Sequence, residues 1–552
     1  LDSYGLFIDE KFTLLTSIGV SVGGANQREV FFDKPYFTPA EFWKEKSYAD
    51  FQEAIARGEI GAHLPYNFVL YGWRQVFGSS DWSMRFLSVL FGLGMLVMVY
   101  ALLYLLFQSE GLALLGMGLA VVEPLFLALN HTVRSYSMSL FLCVWSTYLF
   151  FKLMHDREQV GRYVLYTLVT SVALLTHFLN GMVLLIQGVY VLVYVRPVLR
   201  WWRIALAAGS ATLVLVAWFT VGGGQWTFQF LADKSALMRK ILAASPGENP
   251  LGESLSVATW SNVYRQYMAV FSDSFVTTNR LFFTLVGIKN TMLALFLAVG
   301  TWLSVTFLSA HRYRNFGLIA AHGLAFFLYS RTPLSFMVLE ANLFLLLWGI
   351  SRWTTYTAQE KRGFLFLSLH VILPLVYLLW DAFQNGHTGN ITQRYGAYAL
   401  PFVCGWMAFL IWQARSLPRE IIGVVLVLMG YQGYCVGEVH QQIYHDTSGK
   451  YSYFEEPRIA NPHAAVAKLI VAKYQQGDTV VYPSFGGHVY ADFVEKPTTV
   501  IIDDAQYINA YLPKTAQYWQ RIDPLEPNKV TLRHANGTEE VLFDFEGKKY
   551  RY

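Results

Sequence analysis

Twelve apolar stretches of about bilayer-spanning length constrain this chain more than any other feature. They lie near 83–107, 111–130, 137–154, 163–178, 180–196, 203–221, 285–309, 315–330, 334–351, 363–383, 395–413 and 419–437. A helix crossing the hydrocarbon layer needs roughly 20 mainly apolar residues. Of the 552 residues, 54% are hydrophobic and only 14% charged, against about 25% charged in a soluble domain. The predicted fold is a polytopic α-helical membrane protein. The net charge of +4 gives no basis for nucleic-acid binding. Cys143, Cys404 and Cys435 all sit in apolar runs, with neither metal-ligand spacing nor a disulfide framework.

Basic residues cluster on every second loop. The clusters are Arg157 with Arg162, Arg196 with Arg200 and Arg203, Arg312 with Arg314, Lys361 with Arg362, and Arg415 with Arg419. Loops rich in Lys and Arg stay in the cytoplasm. Residues 1–82, the turn at 130–136, the loop 222–284, the loop 381–394 and everything beyond 438 are therefore predicted to face outward. A chain whose visible start is outside implies one more helix ahead of Leu1, so the expectation is about 12 visible helices and 13 in full. Three regions follow: an outer segment 1–82 with amphipathic helices and an acidic motif, a transmembrane domain 83–437, and an extracytoplasmic α/β domain 438–552. In the last, AVAKLIVAKYQQGDTVVYPS reads as helix, turn and strand, VEKPTTVIID as a strand, and KVTLRHANGTEEVLFDF as a hairpin closed at Asn536-Gly537.

With that topology, polar residues far apart in the sequence reach one membrane face. Asp9 and Glu10 open the chain, His63 lies in the first outer segment, Arg85 sits just inside its helix, Arg134 and Tyr136 begin the helix at 137, His177 ends the helix at 163, and Arg394 and Tyr395 begin the helix at 395. Carboxylates and guanidiniums at one level suit transfer of a sugar from a lipid phosphate to a hydroxyl. A carboxylate takes the acceptor proton, cations stabilise the departing phosphate, and apolar helices hold the lipid tail. One of Asp9 and Glu10 is the expected base. Adjacent residues point in different directions, so only one acid should face the substrate. Arg134, Arg394, Tyr136 and Tyr395 are the expected donor-phosphate site, and His63, Arg85 and His177 the expected cavity lining. No metal-ligand set is predicted, and whether a divalent ion takes part stays open. Glu123 and Glu340 are carboxylates within apolar runs, where acids are costly.

Several motifs carry a resemblance. FIDEKFT, GAHLPYNFVLYGWRQVFGSSDWSMRFLSVLFG, NHTVRSYSMSLFL, LLTHF and QRYGAYALP occur in order. Together they resemble the membrane glycosyltransferases of the C-type superfamily, particularly the protein O-mannosyltransferase and lipid A aminoarabinose transferase group. Two departures stand out: Leu64 replaces the first of two prolines, and Thr132 stands near a position where Glu is common in that group. The resemblance implies a polyprenyl-phosphate sugar as donor, Asp9 as the base, and about 13 membrane helices.

The expected function is an inverting glycosyltransferase in the bacterial cytoplasmic (inner) membrane, with its active site and C-terminal domain on the periplasmic side. Its partners are a membrane lipid donor and a protein, lipid or glycan acceptor. The competing readings are a transporter or flippase of a lipid-linked glycan and a non-catalytic envelope scaffold. Transporters tend to show internal repeats and mid-membrane sites. This chain shows no repeat, and its candidate charges gather at one face.

Overall fold

The computed structural model describes residues 4–58, 61–155, 159–196, 198–243, 255–284, 288–308, 311–329, 331–448, 451, 458–486 and 500–547. Arg157, residues 494–499 of a predicted strand, and the side chains of Arg312 and Arg314 lie outside that description. Among the described residues, 8 helices are long and apolar enough to cross a membrane, from Asp81–Phe107 to Arg419–Tyr444. A bent pair, Glu110–Val121 with Pro124–Asn130, makes a ninth span, and Val160–Thr176, Phe178–Tyr194 and Phe316–Leu328 are shorter apolar helices. Each matches one of the stretches read from hydropathy.

Local chemistry explains the breaks. The bent pair turns by 63° where Pro124 follows Glu123. Proline supplies no N–H and does not continue a helix from its N-terminal side, so it opens a new one. The Glu123 carboxylate caps that new helix by accepting from the Phe126 N–H at 2.7 Å. The amphipathic helices expected in the N-terminal segment include Pro39–Phe42 and Tyr48–Gly58. Each has its own start signal. Thr38 and Glu41 cap each other across the first. Before the second, the Ser47 N–H donates to Asp50 at 2.7 Å and the Asp50 N–H to the Ser47 hydroxyl at 3.2 Å. Reciprocal capping of this kind fixes where a helix begins.

Beyond the last span the chain builds a small α/β unit. Its four-stranded sheet has the order β4-β1-β5-β6, with β1 (Thr479–Pro483), β4 (Trp519–Asp523), β5 (Lys529–Arg533) and β6 (Glu539–Asp544). The β1/β4 pair is parallel; β1/β5 and β5/β6 are antiparallel. Two short strands, β2 (Phe485–Gly486) and β3 (Val500–Ile501), pair separately. The β5–β6 hairpin turns at Gly537, whose φ is +87°, a conformation glycine adopts without steric cost.

The first outer segment is welded to this unit. Phe37 and Gln520 exchange two backbone hydrogen bonds at 2.9 Å, which extends the sheet beyond β4. The Gly23 N–H donates to Gln506, and the Gln506 amide donates back to the Ser21 carbonyl. The Trp43 indole donates to the Asn509 carbonyl at 3.0 Å. One hydrophobic cluster runs from the membrane helices through Leu6, Leu14 and Phe37 to Val480, Tyr482 and Val530. The N-terminal segment and the C-terminal unit thus pack together with the helices around one core.

Candidate active site

Helix α1 (Ile8–Thr16) carries both opening acids in its first turn, about 100° apart around the axis. Glu10 turns back, and its carboxylate accepts from the Phe7 N–H at 2.9 Å, the backward reach that closes a helix start. Asp9 turns the other way.

Their environments differ completely. Glu10 is 0% exposed. One oxygen accepts from Arg85 Nε at 3.3 Å and from the Val133 N–H at 2.7 Å. The other accepts from Arg85 Nη2 and Arg458 Nη1, both at 3.3 Å, besides the Phe7 N–H. Burial alone raises a carboxyl pKa. Here the charges of Arg85 and Arg458 and the hydrogen bonds from Arg85 and Val133 win, and Glu10 lies below the usual carboxylate range. Glu10 is therefore a buried anchor, which corrects its placement among the catalytic candidates: its oxygens are occupied and sealed. Arg85 is corrected in the same way. It is 0% exposed and also donates to the Tyr4 and Gly5 carbonyls at 2.8 and 3.0 Å. It locks the backbone ahead of α1 and lines no open space.

Asp9 faces an opening. Its side chain is 29% exposed, and one oxygen lies 3.3 Å from Arg394 Nη1, which is equally exposed. Arg394 stacks over the Tyr395 ring at 5.7 Å. Behind Asp9, the buried Arg134 guanidinium donates to the Asp9 carbonyl at 3.0 Å and to the Thr13 hydroxyl at 2.8 Å. Arg134 and Val133 belong to the turn between Pro124–Asn130 and Tyr136–His155, so that one turn grips both acids.

Two buried histidines lie near Arg134. His63 has a left-handed backbone, φ +65°, which is uncommon for a residue with a Cβ. Its Nδ1 lies 2.8 Å from the Thr176 carbonyl and 2.7 Å from the Ser135 hydroxyl. The His63 and His177 rings are 5.4 Å apart, and His177 lies 6.0 Å from the Tyr136 ring. Burial and the Arg134 charge pull the His177 pKa down to about 4. The same two causes, with His177 as a third, push His63 well below its ordinary value. Both imidazoles are neutral at pH 7. Among the described residues, no three His, Cys, Asp or Glu side chains gather as a metal-binding group.

The start of Asp81–Phe107, the turn ahead of Tyr136–His155 and the short helix Gln393–Gly396 each send a side chain to α1. Contacts join Asp9 to Arg394 and Arg134, Arg394 to Tyr395, and His177 to His63 and Tyr136, while Arg85 holds Glu10. Sequence reasoning passed over Arg458, Thr13, Ser135 and the Val133 N–H. Arg458 is a lone arginine with no motif or periodicity around it, and backbone donors leave no trace in a sequence.

Residues 65–222 match the family model described as dolichyl-phosphate-mannose-protein mannosyltransferase. That stretch holds Arg85, Arg134, Tyr136 and His177, and it is one branch of the resemblance seen in the motifs. No curated protein matches the chain. Solved structures matched by the chain include ArnT from Cupriavidus metallidurans bound to undecaprenyl phosphate, at 15% identity, covering 82% of this chain and 75% of that one with a TM-score of 0.30. Its apo form gives 13% identity, 93% and 82% coverage and a TM-score of 0.31. The archaeal oligosaccharyltransferase AglB from Archaeoglobus fulgidus, in complex with an inhibitory peptide and a dolichol-phosphate, gives 11% identity, 90% coverage of this chain and a TM-score of 0.38. This chain spans 60% of that structure's length.

Proposed function

We propose that this protein is an inverting glycosyltransferase that moves a sugar from a polyprenyl-phosphate donor to an acceptor hydroxyl at the outer face of the cytoplasmic membrane. The observation that carries the reading is the half-open Asp9 carboxylate set between two guanidiniums, Arg394 at 3.3 Å from its oxygen and Arg134 on its carbonyl. The family match over residues 65–222 agrees with it.

In this reading the acceptor oxygen attacks the anomeric carbon from the side opposite the phosphate. Asp9 takes the acceptor proton, the bond from anomeric carbon to phosphate oxygen breaks, and polyprenyl phosphate leaves with the electron pair. A single displacement inverts the sugar and needs one carboxylate base, whereas a retaining enzyme needs a second acid. Glu10 is sealed away and supplies none. Arg394 pairs with the Asp9 carboxylate before the donor arrives. On binding, its planar fork turns to the phosphate, which guanidinium geometry fits with two hydrogen bonds. Arg134 adds a fixed positive charge behind, and Tyr395 supports the Arg394 plane. His63 and His177, both neutral, line the cavity without repelling the cationic fork.

The test is transfer from a panel of undecaprenyl-phosphate-linked sugars by purified wild-type protein and the Asp9→Asn variant, with lipid-sugar loss and anomeric configuration followed together. The expected result is turnover with inversion by the wild type and a loss of about 10²–10⁴-fold in the variant. Wild-type turnover unaffected by Asp9→Asn overturns the assignment of the base. Movement of lipid-linked glycan across vesicles without transfer favours the flippase reading.

A further inference from the structure

We propose that Arg458, contributed by the segment leading into the tail domain, is a positioning residue that fixes the Asp9 turn. The inference rests on the reading of Asp9 as base. Arg458 reaches Glu10 and the Gly5 carbonyl through Nη1, both at 3.3 Å. It is held from behind by Asp446, which takes Nε and Nη2 at 2.9 Å each and the Arg458 backbone N–H at 2.6 Å. A guanidinium gripped by a carboxylate on one edge is a rigid arm. All of these groups are nine-tenths or more buried.

The arm closes a sandwich. Arg85 comes from the first membrane helix and Arg458 from the tail segment, and both guanidiniums stack on the Tyr4 ring, at 4.9 and 4.3 Å. Between them lie the backbone of residues 4–7 and the Glu10 carboxylate. The next residues of the tail segment continue the weld. The Ile459 carbonyl accepts from the Gly5 N–H at 2.7 Å, and the Asn461 amide donates to both oxygens of Asp81 at 2.9 and 3.0 Å. Glu10 and Asp9 share one helical turn, so whatever fixes the Glu10 carboxylate fixes the direction of Asp9. Removing Arg458 leaves Asp446 without its cation and Glu10 with one guanidinium instead of two. Arg458 touches neither Asp9 nor Arg394 in any hydrogen bond described. Its effect passes through Glu10 and the turn, and through no contact with donor or acceptor. A tail domain that supplies part of the active-site frame has a catalytic duty beyond covering the helix ends.

Arg458→Gln tests this, with Asp446→Asn as a second variant that keeps the guanidinium and frees its arm. The first readout is hydrogen exchange of the Phe7 and Val133 amides, which donate to Glu10, with the amides of β1 as reference. The second is turnover per undecaprenyl phosphate-binding site, with the affinity for undecaprenyl phosphate itself measured alongside. Both variants are expected to exchange the Phe7 and Val133 amides at least tenfold faster while β1 keeps its protection. Turnover per site should fall at least tenfold, the Kd for undecaprenyl phosphate should stay within twofold, and Arg458→Lys should lie between. Wild-type exchange at both amides overturns the inference. So does loss of protection at β1 to the same degree, since Arg458 would then be holding up the whole tail domain. A wild-type protein that turns over no sugar lipid overturns the proposed function, and the exchange result still decides whether Arg458 fixes the turn.

Discussion

Glu10→Gln puts a neutral amide against two buried guanidiniums, Arg85 and Arg458. Removing one member of a buried ionic cluster typically costs about 3–5 kcal/mol, because the remaining charges have lost water and gained nothing. The variant should therefore unfold at markedly lower temperature in detergent. Asp9→Asn breaks only a partly exposed pair with Arg394, worth about 0–1 kcal/mol, and should leave the melting temperature nearly unchanged while lowering transfer about 10²–10⁴-fold. Thermal scans of the two variants side by side check the assignment of structural and chemical duty. His177 makes a pH prediction. Its pKa falls from 6.5 to about 4 on folding, so between those values the unfolded chain binds a proton that the folded chain does not. That contribution is fully present above pH 6.5 and is lost as pH falls towards 4, to the extent of about 3 kcal/mol. His177→Phe should flatten the fall of the melting temperature across that window. The residue types of the site were legible in the sequence: an acid, arginines, tyrosines and histidines at helix ends on one level. Which acid is open was not legible, because that depends on a Val133 N–H and on an arginine 448 positions beyond Glu10.

At the scale of elements, the membrane helices were readable because their signal is length and apolarity. Even the division between Val160–Thr176 and Phe178–Tyr194 falls at His177, where the LLTHF motif ends a helix. The split at Glu123-Pro124 is also written locally, although hydropathy alone reads straight through it. The hairpin at Asn536-Gly537 has the turn chemistry its sequence advertises. The pairing of β1 with β4 and the bridge from Phe37 to Gln520 are long-range, and no local pattern encodes them. Gly61 marks the loop that aims His63. Its φ is +69°, and a Cβ there would lie 2.6 Å from the Thr227 hydroxyl and 3.2 Å from the Gly224 backbone. Its carbonyl also accepts from the Trp218 indole at 2.8 Å. Gly61→Ala should cost more than about 1 kcal/mol, the penalty for a side chain forced into this conformation, and should lower transfer through displacement of His63. Denaturation and turnover measured on the same preparation check both effects.

At the scale of the molecule, the account places the tail domain, the first outer segment and the site on one side of the membrane. Arg196, Arg200, Arg203, Arg362, Arg415 and Arg419 lie at the opposite ends of their helices. By the positive-inside rule that opposite side is expected to be the cytoplasm. A single cysteine at exposed position 536, in a background with Cys143, Cys404 and Cys435 replaced, should react with a membrane-impermeant maleimide in intact spheroplasts. Labelling only after lysis inverts the orientation and moves the site to the cytoplasmic face. The joined core explains why the outer regions read as separate units in sequence and behave as one layer in the structure. The most direct measurement of the central claim is a structure of the full chain with undecaprenyl phosphate bound. The account predicts phosphate density beside Arg394, in front of Arg134, with the Asp9 carboxylate released from Arg394 and facing the space where the anomeric carbon would sit. A phosphate bound elsewhere, with the Asp9–Arg394 pair intact, would contradict it.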